Sequence, residues 1–227
     1  MTILIPAIEE LVDRLRNQIL GGELKPCTPL NQNELAATFN LNRSQVREAL
    51  SVLSEERMVL MRAYATAVVA PLSLSEFEEL HEIRMALEPL LSQMALPTLP
   101  RHHLLKMREL NELMQGSDDG ETWLNANDEF HALLYRETDR PWMVEIVDRA
   151  RRLTSRYTSI LVVKMGSRQG ELEHVGIMEA IEGQDTRELG RRLSAHMESG
   201  YDLVIKHLAR HPELLGSQPD GCGGKTR

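Results

Sequence analysis

Near the start of the chain, apolar side chains recur at helical spacing. Ile8, Leu11, Val12, Leu15 and Ile19 share one face, and Gly21-Gly22 stops the run. After Lys25-Pro26 come two shorter amphipathic runs separated by a tight turn. Leu35 and Phe39 mark the buried face of the first, and Val46, Ala49, Leu50 and Leu53 that of the second. Asn31 with Glu34, and Asn42 with Gln45, set a capping residue and its partner three positions apart at the start of each. Val59–Arg62 and Thr66–Ala70 are apolar or β-branched runs on either side of Ala63-Tyr64-Ala65, which predicts a hairpin. Three helices followed by a hairpin form the winged variant of the helix-turn-helix.

Pro71–Ser75 reads as a linker, and everything after it as helix. Ser75 with Glu78 predicts a capped start to a helix running through Leu80, Ile83, Leu87 and Leu91, kinked or divided at Pro89. Further helices are expected near 100–115, 120–138, 141–164, 170–183 and 185–210, punctuated by Gly116, Pro141, Gly183 and Pro212. The expected fold is mainly α: a winged helix-turn-helix over 1–70, a linker over 71–75, an all-α helical bundle over 76–212 and a polar, disordered tail over 213–227.

Composition narrows the function. With 227 residues, 42% hydrophobic and 26% charged, the chain can bury a substantial core. Only 4% is aromatic, against the single-strand binders that stack bases on aromatic platforms. A formal net charge of −8 means that duplex binding would rest on a few well-placed arginines, doubled by dimerisation. Cys27 and Cys222 fit no metal spacing and read as reduced thiols. No signal-like pattern and no apolar run of membrane-spanning length is present, so a cytoplasmic protein with no membrane partner is expected.

Two groups of residues carry chemistry. Arg43, Ser44 and Arg47 fall opposite the apolar stripe at the N-terminal end of the second helix of the pair, the part that a helix-turn-helix presents to base edges. Arginine there suits bidentate guanine contacts. The alternative is an ordinary helical hairpin with solvated arginines. Among eight histidines, His102 and His103 read as solvated, and His81, His207 and His211 have no evident partners. Asn127 and His131 lie one helical turn apart, while His174 and His196 fall on later helices. Spacing alone leaves open a shared metal site or three satisfied core histidines.

The stretch QILGGELKPCTPLNQNELAATFNLNRSQVREALSVL resembles the DNA-binding domain of the GntR family, with Arg43–Leu50 its most specific part. The helical region that follows, to about Pro212, resembles the effector-binding FCD domain of the FadR-like branch. The resemblance implies a homodimeric regulator that reads a palindromic double-stranded operator through Asn33, Arg43, Ser44, Gln45 and Arg47. It also implies a divalent metal, zinc first with nickel or manganese as alternatives, held by Asn127, His131, His174 and His196. A small carboxylate effector would complete the site, with Arg84 as a clamp for its charge. Arg149, Arg152 and Arg156 are further clamp candidates or surface arginines.

The chain departs from the family pattern at four sites. Asn33 stands where Arg is frequent, Gln45 where Pro or Thr is common, and Tyr64-Ala65 where the wing usually carries glycine. Asn127 replaces a carboxylate, leaving a neutral first shell and more of the metal's charge for an anionic ligand. Asp128 is the fallback ligand. Three other readings compete with a metabolite-responsive regulator: a purely structural dimeric helical protein, a zinc-dependent hydrolase, and a direct metal sensor. The hydrolase lacks an H-E-x-x-H motif and has only Glu129 or Glu173 as conceivable bases, so no enzyme activity is expected.

Overall fold

The computed structural model describes residues 5–62, 66–136, 138–165 and 168–215. The chain divides into two compact units, Met1–Leu74 together with Arg210–Arg227, and Ser75–Ala209.

In the first unit, α1 (Pro6–Leu20) opens with proline at its first helical position and buries Ile8, Leu11, Val12, Leu15 and Ile19. Helix α2 (Gln32–Thr38) is capped by Asn31, whose Oδ1 accepts from the Asn33 and Glu34 amides at 3.0 and 3.4 Å. Helix α3 (Arg43–Glu55) begins with the expected capping box: Asn42 Oδ1 accepts from the Gln45 amide at 3.0 Å, and Gln45 Oε1 accepts from the Asn42 amide at 2.9 Å. Between α2 and α3, Asn40 adopts φ 51°, a left-handed conformation that Asn tolerates better than most residues. The Leu41 amide returns to the Ala36 carbonyl at 2.9 Å, closing the turn.

Val46, Ala49, Leu50 and Leu53 are buried against α1, as their spacing predicted, while Leu35 and Phe39 pack at the edge of the same core. Arg16 on α1 donates to both carboxylate oxygens of Glu56 at 3.0 and 2.8 Å, tying α1 to the end of α3. The hairpin is β2 (Val59–Met61) with β3 (Ala67–Val69), antiparallel with Leu60 opposite Val68. A strand not expected from sequence, β1 (Pro29–Leu30), pairs with β3 and gives the order β1-β3-β2. Two residues are too short a run to show alternation. Ala63-Tyr64-Ala65 lie outside the described residues.

Two expectations change here. Cys27, read as a reduced thiol, is disulfide-bonded; spacing cannot report which segments a fold brings together, and Cys222 lies outside the described residues. Residues 213–215, expected to open a disordered tail, belong to a short 3₁₀ turn (Pro212–Leu214) and to a bridge between Leu72 and Leu215, with the Leu72 amide 3.4 Å from the Leu214 carbonyl.

The second unit is a bundle of α4 (Leu74–Ala95), α5 (Arg101–Gly116), α6 (Gly120–Tyr135), α7 (Pro141–Met165), α8 (Arg168–Glu182) and α9 (Thr186–Arg210). Leu91, Met107, Phe130, Leu134, Ile181 and Leu193 form the centre of its core. Helix α4 starts at Leu74, so Ser75 lies in its first turn instead of capping it. Pro89 sits inside this helix without dividing it. Burial of Leu91, Ser92 and Ala95 beyond the proline outweighs the one backbone hydrogen bond that proline removes. No helix among the described residues is long and apolar enough to cross a membrane.

Candidate DNA-reading face and histidine cluster

The capping box that starts α3 also sets the azimuth of its first turn. Arg43, Ser44 and Arg47 are exposed on the side opposite the Val46–Leu50 stripe. Gln45 is half-buried, with its side-chain oxygen committed to the cap. Asn33 on α2 is exposed, and its Oδ1 accepts from Arg43 Nε at 2.9 Å. The bond engages Nε, which a bidentate guanine contact through the two terminal nitrogens does not need. Asn33 thus braces the neighbouring Arg43 from α2.

In the second unit, α6, α8 and α9 contribute His131, His174 and His196. One nitrogen from each lies within 4.8 Å of the others. The Nε2 atoms of His131 and His174 are 3.3 Å apart. Two nitrogens bound to one tetrahedral zinc at the usual bond length would stand about 3.3 Å apart. The His131 and His196 rings stack with centroids 5.2 Å apart, and His174 meets both edge-on.

The outer nitrogens are partly fixed. His174 Nδ1 donates to the Gly170 carbonyl at 2.6 Å, which leaves Nε2 with a lone pair facing the cluster. His196 Nδ1 lies 2.8 Å from Glu173 Oε2, the carboxylate–histidine pairing common behind metal ligands. Burial pushes His131 well below the ordinary imidazole value, with Arg151 and the other two histidines adding to the effect. Burial, then the charge of His196, brings His174 down to about 3. Both are therefore neutral near pH 7, the form that binds metal.

Asn127 is one turn before His131, and its Oδ1 is sealed from solvent without a hydrogen-bond partner. The same holds for Trp123 Nε1, His131 Nδ1 and Tyr135 Oη, so four side chains at four-residue spacing line one face of α6 with unsatisfied polar atoms. Each such group costs about 1–3 kcal/mol if nothing satisfies it. Asp128, the fallback ligand, does not join the histidines. It accepts from Arg151 Nη2 at 3.1 Å and Ser155 Oγ at 3.2 Å, since one residue further round the helix faces α7 instead.

Arg84, expected as an effector clamp, donates through Nε to Glu88 Oε1 at 2.5 Å. Glu88 is 1% exposed and also accepts from Arg151 Nη1 at 3.2 Å. Burial alone would raise the Glu88 pKa, but Arg84 and Arg151 together hold it below the ordinary value. Arg149 and Arg152 are exposed, and Arg156 is buried. Arg151 and Glu88 are residues that the sequence reading missed. Their signal was present: each is a charged residue on an apolar stripe, Glu88 with Phe77, Leu80 and Leu91, and Arg151 with Val147, Ala150 and Thr154. Two histidine readings also change, because tertiary packing decides them. His103 is buried, not solvated, and His81 stacks on Tyr201 with centroids 4.3 Å apart.

A winged helix-turn-helix with arginines on the recognition helix, joined to a helical bundle, defines a DNA-binding transcriptional regulator. Comparison with known proteins agrees. Residues 7–69 match the gntR family of bacterial regulatory proteins, and residues 79–199 match the FCD domain. The chain belongs to the GntR family and carries its FCD domain. It is 25% identical over 218 residues to the HTH-type transcriptional regulator BphR of Paraburkholderia xenovorans, covering 87% of this chain and 84% of that protein. It is also 25% identical over 207 residues to the HTH-type transcriptional repressor RspR of Escherichia coli, covering 85% and 86%. Among solved structures, E. coli McbR/YncC shares the fold with a TM-score of 0.78 at 20% identity, over 90% of this chain and 99% of that one. These relatives are transcriptional regulators, and the chain is a regulator, not an enzyme.

Proposed function

We propose that this regulator binds a palindromic operator as a homodimer and that a small carboxylate, held at a divalent metal inside the FCD bundle, modulates its affinity. The observation that carries this reading is the convergence of His131, His174 and His196 from three helices, with their nitrogens within 4.8 Å of one another. The buried, unpartnered Asn127 Oδ1 one turn before His131 supports it. His131, His174 and His196 would hold the metal, with Asn127 as an oxygen donor. The metal supplies a Lewis-acidic anchor for a carboxylate, and zinc fits the nitrogen-rich donor set best.

The neutral amide at 127 leaves the first shell uncharged, so an anion is favoured there. Glu173 and the Gly170 carbonyl hold the imidazoles of His196 and His174 in position. Helix α6 carries both His131 and, through Asp128, a link to Arg151; Arg151 in turn reaches Glu88 on α4. Ligand binding on α6 thereby biases the packing of α4. In the dimer, this would alter the separation of the two recognition helices, which must match half-sites about one DNA turn apart. Arg43, Ser44, Gln45 and Arg47 would face the operator, with Asn33 positioning Arg43.

The test begins with native mass spectrometry of the purified protein, expected to show a dimer with one metal per subunit. Fluorescence anisotropy on duplexes selected by the protein itself then follows, with and without short carboxylic acids. A change in affinity with acid on the metal-loaded dimer is expected. Response to metal alone would establish a direct metal sensor instead, and a metal-free monomer with full DNA affinity would overturn the proposal.

A further inference from the structure

The donor set around the histidine cluster carries no charge of its own. Imidazoles bind metal in their neutral form, and the amide of Asn127 is neutral too. A divalent ion there would leave two positive charges largely buried, an arrangement that needs a counter-charge close by. The ion-pair chain behind α6 has none to spare, since Arg84 and Arg151 are matched one for one by Glu88 and Asp128. Glu173 is placed differently. It precedes His174 on α8 and crosses to α9, where its Oε2 accepts from His196 Nδ1 at 2.8 Å. Its side chain is 25% exposed, against 15% for that of His196. Among the described contacts, it is the carboxylate that touches a histidine of the cluster. With Nδ1 so engaged, His196 has Nε2 left for a metal, and a carboxylate on the far nitrogen makes an imidazole the more basic ligand.

We infer that Glu173 supplies, from behind His196, the negative charge that Asn127 withholds, so that the cluster retains a divalent metal without a carboxylate among its donors. This rests on the metal reading given above and adds a positioning residue that acts on the metal through His196. The placement has a physical advantage. At 127 the side-chain oxygen is sealed from solvent, so a carboxylate there would be a buried charge whenever the metal was absent. Glu173 keeps contact with water, and its charge occupies no coordination position.

Zinc affinity, measured on the full chain by competition with a chelating dye in buffer free of carboxylic acids, separates charge from orientation. Glu173→Gln keeps an oxygen that can accept from His196 Nδ1 and removes only the charge. It is expected to weaken zinc binding about tenfold or more. The cobalt-loaded variant should keep the visible absorption of the unsubstituted protein, because the same nitrogens bind. In an Asn127→Asp background, Glu173→Gln should cost markedly less, because a negative charge already sits among the donors. Zinc affinity unchanged by Glu173→Gln, an equal loss in the Asn127→Asp background, or a shifted cobalt spectrum each overturns the inference while the metal reading stands. If the unsubstituted protein takes up neither zinc nor cobalt, that reading falls, and the inference with it.

Discussion

Single side chains decide how this regulator would read DNA and hold metal. Arg43 and Arg47 are exposed at the start of α3, and Asn33 braces Arg43 at 2.9 Å. Replacing either arginine with alanine should cost about 1–3 kcal/mol of operator affinity if it reads a base, with relaxed preference at one position in a repeated site selection. Asn33→Ala should produce a smaller loss with the same change of preference as Arg43→Ala. An Asn33 effect independent of Arg43 in a double-mutant cycle would show a direct contact instead. The histidines carry a pH signature. His131 and His174 are depressed in the folded state, His174 to about 3, so the unfolded chain binds more protons between about 3 and 6.5. Their contribution to stability is fully present above about pH 6.5 and is lost as pH falls toward 3. Urea unfolding of the metal-free protein at pH 5 and pH 7.5 should show this slope, reduced in His174→Asn.

At the scale of elements, the turn between α2 and α3 and the ion pairs of the bundle are the sensitive points. Asn40 at φ 51° is the hinge of the helix-turn-helix. Asn40→Gly should be close to neutral, whereas Asn40→Val should destabilise the DNA-binding unit by roughly 1–2 kcal/mol, measured by chemical denaturation. In the bundle, Glu88 holds Arg84 and Arg151 together across α4 and α7. Glu88→Gln leaves Asp128 as the remaining counter-charge to the buried Arg151 and takes from Arg84 the charge it pairs with, and should cost about 3 kcal/mol. Glu88→Leu with Arg151→Met should recover part of that loss, because it removes the buried pair and leaves only the partly exposed Arg84 and Asp128 without these partners. If operator affinity still responds to carboxylate in that double variant, the Glu88–Arg151 link does not carry the response.

For the whole molecule, metal should act as a folding ligand of the bundle. Chelation is expected to lower the melting temperature, and zinc at a hundredfold excess over its dissociation constant should restore about 2.7 kcal/mol. His131→Ala should abolish that difference, while Asn127→Ala, which keeps the three imidazoles, should only weaken metal retention. A chelator that leaves thermal unfolding untouched would remove the metal from the mechanism altogether.

Much of this was legible in the chain itself. The caps at Asn31 and Asn42, the stripe from Val46 to Leu53, the hairpin and the approximate positions of the helices follow from local chemistry, because periodicity and capping act within a few residues. The opposed faces of α3, one apolar and one carrying Arg43 and Arg47, are equally local. Only the tertiary structure could decide which distant groups meet. The Arg84–Glu88–Arg151–Asp128 chain joins residues up to 67 positions apart across three helices. Asp128 was diverted to Arg151 because a single-residue step turns a side chain by about 100° around the helix. The nitrogens of His131, His174 and His196 came from separate helices to within 4.8 Å. Spacing along one helix predicts a shared face, but how three helices rotate against one another is set by core packing, and no local rule encodes that.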